Sequence, residues 1–586
     1  MKARFLLDIE GESHGLGDLN MMFGNTEVVE YPNISFEHPE KPFFTGLLPR
    51  TVEVNGEKRN YLVYIPEHFP ISGAGIYLFP DDDVSAEEFL RNGQYIKIAE
   101  KTNAVLIVLE SRPGGWRRDD IQSEMDYCEA VFKHSLTRIY YSLNEATYYT
   151  MGIGNGAYIS QTFALLDPEI FAAVLQDGNY ELDTSLYSQL SKIKSARDAS
   201  TTKTEVEMPV WLVDESEKST NSILNGYCIA SGLQNKPLVD GNTKTYVKNM
   251  KKWFSAPDSI PIVSVKNTIK TEEQDAVQLH EEMIKWALGF KRWMGVGNGD
   301  IRPARSWEDM KLIRKVTKVD ERNREWFIYE PGRYLSHKEE KLPLVIAIHG
   351  YSCTGTIFAE STQWHELAER RDFFVIYLSA FPSNQYFEGK TIPLPTWNSI
   401  GMTSEMDDIK FVRNVINEVC ENYPIDEERI YVSGHSNGSL MTQRLMSEMP
   451  KRFAAFGPQG AQYHFLTNGG KPEKDIEADG VERPVWLMMG EHDVGVGDKI
   501  EPGNANDLFI NMMCKVNNID RANEEVRQNG AYTTHTWTKD QRTPLLRFTS
   551  VRDLPHTYTP EMAEMYYDTF FSHFRRKADG SIEYTL

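Results

Sequence analysis

The chain has 586 residues, 40% of them apolar and 25% charged, with a formal net charge of −22. That excess of acid repels nucleic acid and anionic membrane alike, so neither is an expected partner. No apolar run approaches the ~18 residues that a membrane span needs. The opening Met1–Glu10 segment carries acid after a few apolar residues, too short a core for a secretory signal, and the expected location is cytoplasmic. Five cysteines (Cys128, Cys228, Cys353, Cys420, Cys514) are scattered with no C-x-x-C pair, which fits reduced thiols and no metal site.

Residues 1–44 mix Gly, Asn, Pro and aromatics without a period and are assigned to an N-terminal extension. Gly11-Glu12-Ser13-His14-Gly15 lies inside it and fits G-x-S-x-G. It has no room before it for a central sheet and no helix after it, so it reads as a loop. From residue 45 the chain passes twice through one series of segments. Arg59–Pro66 matches Arg324–Pro331, Ser123–Asp126 matches Ser404–Asp407, and Met151–Ala157 matches Ser433–Ser439. Ile170–Ala173 parallels Arg452–Ala455, and Pro209–Leu212 recurs as Pro484–Leu487. Three pairs keep offsets of 281 to 282 residues and the outer ones give 265 and 275, so the matches are colinear and imply duplication of a whole domain.

The spacing places one domain at 45–294, a linker at 295–312 around Gly295–Asp300, and a second domain at 313–586. The first closes with an amphipathic segment, Leu279–Trp293. In the second, buried strands are expected at Leu344–His349, Phe373–Leu378, Ile430–Gly434, Ala454–Pro458, Val485–Met489 and Leu545–Val551, with a terminal helix at Glu561–Phe574. Strands alternating with helical patterns predict an α/β class: two tandem domains, each with a mostly parallel central sheet and its functional groups at the carboxyl ends of strands.

Gly434-His435-Ser436-Asn437-Gly438 lies between a strand and a helix, the setting of a nucleophile elbow. Its flanking glycines permit the close backbone approach that holds a serine hydroxyl in a cleft. A serine nucleophile needs a base and an orienting acid. His556 follows the last strand directly and is preferred over His492, His535 and His573. Asp493, in the polar loop after Val485–Met489, is preferred over Glu491 and Asp498. The order Ser436, Asp493, His556 is that of an α/β-hydrolase. The oxyanion hole is assigned to the backbone N–H groups of Asn437 and of Tyr351, the latter in the turn after Ile346-Ala-Ile-His-Gly350. His349, His435 and Trp397 are candidates for contact with substrate; for Trp397, packing that pins its loop is the equal alternative.

Asp407–Ile416, Tyr423–Gly438 and Arg452–Ala455 together resemble the polyhydroxybutyrate depolymerase-like esterases, a group related to feruloyl and acetyl xylan esterases. The resemblance covers residues 320–586 and implies a triad of Ser436, Asp493 and His556, no cofactor, and a small or oligomeric ester as substrate, of the hydroxyalkanoate, feruloyl or acetyl class. An acyltransferase or a peptidase would use the same triad, and a binding module with a vestigial serine is the alternative outside catalysis. The first domain carries Gly154 at the serine position, Phe79-Pro80-Asp-Asp-Asp83 for the His-Gly turn, Lys218 for the acid and Lys270 for the base. It is expected to be a catalytically degenerate copy serving as scaffold, dimer surface, or a wall and lid over the active cleft. Gly152–Ala157 also fits a dinucleotide fingerprint with Asp177 as its acid, a reading that the internal repeat makes superfluous.

Overall fold

A computed structural model describes residues 46–585 except 68, 70–72, 137–142, 196–198, 217–221, 234–235, 250–260, 273, 294–299, 321, 388–389, 400–403, 405, 465–475 and 494–496. The N-terminal extension with its Gly11–Gly15 copy, Lys218, and the core of the 295–312 linker lie wholly or partly outside the described residues. The chain divides into two compact units, Met1–Ala304 with Tyr386–Ile392, and Arg305–Gln385 with Pro393–Leu586. The short Tyr386–Ile392 piece, placed by sequence in the second domain, groups with the first. It belongs to a separate two-stranded ribbon, Pro382–Phe387 with Lys390–Pro395, that pairs with no strand of the second unit's sheet.

Among the described residues the first unit holds ten strands in one sheet: β1 (Gly46–Val54), β2 (Glu57–Ile65), β3 (Gly73–Phe79), β4 (Val105–Leu109), β5 (Leu143–Ile153), β6 (Phe171–Asp177), β7 (Val210–Asp214), β8 (Leu238–Asp240), β9 (Thr243–Asn249) and β10 (Pro261–Ile269). Their spatial order is β1-β2-β4-β3-β5-β6-β7-β10-β9-β8. Strands β4, β3, β5, β6, β7 and β10 run parallel, and antiparallel strands extend the sheet at both edges. The parallel strands read as unbroken apolar runs, such as Val-Leu-Ile-Val-Leu in β4, because helices cover both faces. Separate apolar clusters accordingly lie on the two faces.

The second unit repeats the plan with β11 (Leu312–Val319), β12 (Arg322–Tyr329), β13 (Leu342–Ile348), β14 (Phe374–Leu378), β15 (Ile425–His435), β16 (Ala455–Gln459), β17 (Val485–His492), β18 (Glu524–Asn529), β19 (Tyr532–Trp537) and β20 (Leu546–Pro555). Their order, β11-β12-β14-β13-β15-β16-β17-β20-β19-β18, is that of the first unit position for position. This is the α/β-hydrolase sheet, present in both units. No helix among the described residues is long and apolar enough to cross a membrane.

Matching side-chain contacts fix the equivalences more finely than the sequence does. Trp211 Nε1 donates to Thr268 Oγ1 at 2.9 Å and Trp486 Nε1 to Thr549 Oγ1 at 2.8 Å, each threonine also bonding a threonine of the neighbouring strand at 2.8 Å. Arg292 and Arg576 each reach two backbone carbonyls at 2.7 Å, of Phe171 and Glu207 in one unit and of Phe453 and Glu482 in the other. Two helices, α1 (Ile121–Leu136) in the first unit and α2 (Asp408–Asn422) in the second, show the same buried device. Arg59 pairs with Glu124 and stacks on Tyr127, while Arg324 pairs with Asp408 and stacks on Phe411. The equivalence here is Glu124 with Asp408, so the Ser-Glu-Met-Asp match was three residues out of register, about one helical turn.

Helix ends also differ from the sequence reading. The expected Leu279–Trp293 helix runs from Ala276 to Ala287, and the chain then extends as a strand at Phe290–Trp293. Pro560–Thr569 is the terminal helix, which leaves His573 in the 3-10 turn beyond it.

Arg324 and Asp408 are both fully buried at 2.6 Å, so removing the cation leaves an uncompensated carboxylate in the interior. Arg324→Leu is expected to cost about 3–5 kcal/mol, read as a lower guanidinium midpoint for the transition of the second unit.

Candidate active site

Ser436 stands between β15 and helix α3 (Asn437–Glu448), at φ 54° and ψ −118°. That left-handed conformation costs a non-glycine residue about 1–3 kcal/mol, and its surroundings impose it. Ser436 N donates to Gln459 O at 2.9 Å, and Ser436 O receives Leu440 N at 3.1 Å as the helix starts. A Cβ on Gly434 would lie 2.2 Å from Gly438 O, and one on Gly438 would lie 2.2 Å from Ile348 O. Both glycines therefore permit strand-to-helix contact that no side chain allows. Gly350 is less crowded, its virtual Cβ 3.2 Å from Ser436 Cβ.

His556, just past the end of β20, places Nε2 2.8 Å from Ser436 Oγ and Nδ1 2.5 Å from Asp493 Oδ1. The Asp493 side chain is wholly buried, and its other oxygen accepts Gly490 N–H at 2.5 Å. The three residues thus form one hydrogen-bonded line from serine to carboxylate. Alternatives weighed from sequence lie elsewhere. His535 Nδ1 meets Glu524 Oε1 at 2.5 Å on β19, His573 Nδ1 meets Thr585 O, and His492 is exposed. Glu491 accepts Asp553 N–H at 2.9 Å, and burial raises the Asp498 carboxyl above its usual range, aided by the charges of Glu491 and Asp493.

Of the substrate-contact candidates, His349 and Trp397 are corrected by their burial, since both have no exposed surface. His349 Nε2 accepts Ala380 N–H at 2.9 Å, so its proton sits on Nδ1 and is donated to Gly350 O at 2.6 Å. Burial lowers its pKa to about 3. Trp397 is the loop pin that sequence left as the equal alternative. Its Nε1 donates to His349 O at 2.9 Å and its N to Asn437 Oδ1 at 2.8 Å, while Asn437 Nδ2 donates to Ser399 Oγ at 2.7 Å. Ser352 N also bonds Pro395 O at 3.0 Å, so one buried loop braces both turns that carry Tyr351 and Asn437. Among the described residues Tyr351 N–H has no hydrogen-bond partner.

His435 is partly exposed, its ring centroid 4.6 Å from that of His556. Burial first, and then the neighbouring His556, lower its pKa to about 3. Its Nδ1 faces Gln459 Oε1, and Gln459 Nε2 donates to Thr557 O at 3.0 Å. Buried Gln459 thereby ties the elbow to the loop of His556. Sequence reasoning missed it; the one available signal was an uncharged polar residue ending an apolar strand.

The first unit keeps the elbow without the line. Gly154 takes φ +55°, close to the φ of Ser436. Strand register makes Thr268 the equivalent of Thr549, and hence Lys270 that of Val551 and not of His556. By that register β10 ends at Ile269, the level of Ser550, whereas β20 continues to Pro555, and the histidine follows that extension. Lys270 instead bonds Asp177 at 3.0 Å, as does His280 at 2.8 Å, so the acid of the apparent dinucleotide fingerprint is engaged by two side chains of its own unit.

Residues 328–465 match the family described as esterase PHB depolymerase. The second unit is thus similar to the PHB depolymerase esterases. Among curated relatives, the bifunctional acetylxylan esterase/xylanase XynS20E of Neocallimastix patriciarum is 24% identical over 227 residues, 39% of this chain and 30% of that protein. Poly(3-hydroxyalkanoate) depolymerase C of Paucimonas lemoignei is 31% identical over 132 residues, 22% of this chain and 30% of that protein. The chain therefore spans about a third of the length of these relatives. Among solved structures, the acetyl xylan esterase from Aspergillus awamori matches with a TM-score of 0.33 and 16% identity, over 44% of this chain and 98% of its own.

Because burial holds His349 and His435 neutral, both imidazoles are expected to show no titration between about pH 5 and pH 8, measured by 15N NMR of histidine-labelled protein. A protonated His349 in that window would contradict the tautomer assigned from Ala380 and Gly350.

Proposed function

We propose that the second unit is a serine-dependent carboxylic ester hydrolase working through an acyl-enzyme. The observation that carries this reading is the unbroken line Asp493–His556–Ser436, with hydrogen bonds of 2.5 and 2.8 Å, at a serine held in left-handed geometry. In this mechanism His556 Nε2 takes the Ser436 proton as Oγ attacks the ester carbonyl. The developing oxyanion is met by the N–H groups of Asn437 and Tyr351. His556 then hands the proton to the departing alcohol, and a water activated by the same imidazole releases the acid. Asp493 keeps the His556 proton on Nδ1 and stabilises the imidazolium. Holding His435 neutral serves that cation as well, since a second positive ring at 4.6 Å would oppose it.

The substrate is a small or oligomeric ester of the hydroxyalkanoate, feruloyl or acetyl class. The esterase family match and the acetylxylan and hydroxyalkanoate relatives support that class. The first unit is a catalytically degenerate copy that arose by duplication; the common strand order and the repeated tryptophan–threonine and arginine–carbonyl contacts support this.

Purified protein is expected to hydrolyse p-nitrophenyl acetate, with Ser436→Ala losing at least on the order of 10⁴-fold in kcat and Asp493→Asn on the order of 10⁴-fold. Full activity in Ser436→Ala would overturn the assignment.

A further inference from the structure

The same sheet positions that frame Ser436 hold a different arrangement in the first unit. Strand pairing sets Phe79 opposite Gly152 and Ile348 opposite Gly434, which makes Pro80 the equivalent of His349, Asp81 of Gly350 and Asp82 of Tyr351. The tryptophan contacts agree, because Trp116 Nε1 donates to Pro80 O at 2.8 Å as Trp397 Nε1 does to His349 O at 2.9 Å. The His-Gly turn therefore corresponds to Pro80-Asp81, within the Phe79–Asp83 stretch that the sequence match named. Asn155 is the equivalent of Asn437.

Asp81 Oδ1 accepts Asn155 N–H at 2.7 Å and Asp82 N–H at 2.9 Å. These two donors are the counterparts of Asn437 N–H and Tyr351 N–H. A carboxylate oxygen thus sits where the second unit's oxyanion would form. The same side chain also fills the nucleophile's volume: a Cβ on Gly154 would lie 2.1 Å from Asp81 Cγ. The exchange is reciprocal. The second unit pairs a glycine at 350 with a serine at 436, and the first pairs an aspartate at 81 with a glycine at 154. Each unit leaves space for one side chain over its elbow.

We propose that the first unit retains a carboxylate-binding site, formed by the N–H groups of Asp82 and Asn155, whose resident ligand is its own Asp81 side chain. The site opens into a cleft of about 410 Å³ at the carboxyl ends of the parallel strands, bordered by Arg118, Asp177 and Lys270. Two converging amide donors at a strand-to-helix turn select an anion, and the occupant shows that a carboxylate fits. With Asp81 in place, neither an acyl carbonyl nor a serine side chain can take up position over Gly154. The internal carboxylate, as much as the missing base, closes this unit to acyl chemistry. When the side chain is removed, a free monocarboxylate such as acetate takes the vacated position.

The test uses the full chain and no ester substrate, so its failure is distinct from failure of the hydrolase assignment. Acetate binding is followed by saturation-transfer NMR, and thermal unfolding is recorded in acetate against chloride at equal ionic strength, for wild type, Asp81→Gly and Asp81→Asn. Asp81→Gly is expected to gain a saturable acetate signal and a Tm that rises with acetate beyond any wild-type response. Asp81→Asn keeps an acceptor oxygen in place and is expected to behave like wild type. Gly154→Ala supplies an independent arm, lowering Tm sharply in wild type and much less in the Asp81→Gly background. Should Asp81→Gly prove too unstable to purify, Asp81→Ser is scored by the same acetate criterion. Folded Asp81→Gly with no acetate response above wild type, or an equal Gly154→Ala penalty in both backgrounds, overturns the proposal.

Discussion

The close approach of backbones at the Ser436 elbow governs the site around it. Gly438 packs so tightly on the end of β13 that a Cβ would meet Ile348 O at 2.2 Å and His349 O at 2.4 Å. That contact brings the start of α3, which carries Asn437, against the turn after β13, which carries Tyr351. The strain at Ser436 is carried by neighbours with firm backbone bonds, among them Gln459 and Leu440. The first unit preserves the same contact, with a Cβ on Gly156 meeting Pro80 O at 2.2 Å. The close packing of the turn is thus present whether or not a serine stands on it, as expected if the glycines serve packing first.

Electrostatics around the elbow is arranged by burial. Two histidines flank the Ser436 turn, and both are held neutral, each with pKa about 3. His349 spends its single proton on Gly350 O, fixing the peptide that leads to Tyr351 N–H. A charged ring at His435, 4.6 Å from that of His556, would compete with it for the field of Asp493.

Much of this was legible in sequence because the relevant residues sit at element junctions. Gly434 and Gly438 around Ser436, the strand before them and the helix after them are local signals, and the order of Asp493 and His556 along later strands follows from the fold. What failed was register. Ser123–Asp126 and Ser404–Asp407 look alike, yet Glu124 is the partner of Asp408, because a helix tolerates a one-turn shift in identity while its buried arginine contact does not. Lys270 lined up with His556 by residue type, whereas the histidine follows an extension of β20 that β10 lacks. Trp397 and His349 are polar or aromatic residues next to a candidate site, and burial, a property of the tertiary structure, makes them braces in place of substrate contacts. The reciprocal exchange of Asp81 and Gly154 for Gly350 and Ser436 joins residues far apart in sequence, so only the paired strands reveal it.

In the proposed reaction Ser436, His556 and the two backbone donors act on one carbonyl. The most direct measurement is a crystal structure of the protein after reaction with a fluorophosphonate. Phosphorus is expected to be bonded to Ser436 Oγ, with a phosphoryl oxygen within hydrogen-bond distance of both Asn437 N and Tyr351 N and with His556 Nε2 facing the remaining oxygen. An adduct on another residue, or a phosphoryl oxygen directed away from those two N–H groups, would contradict that reaction.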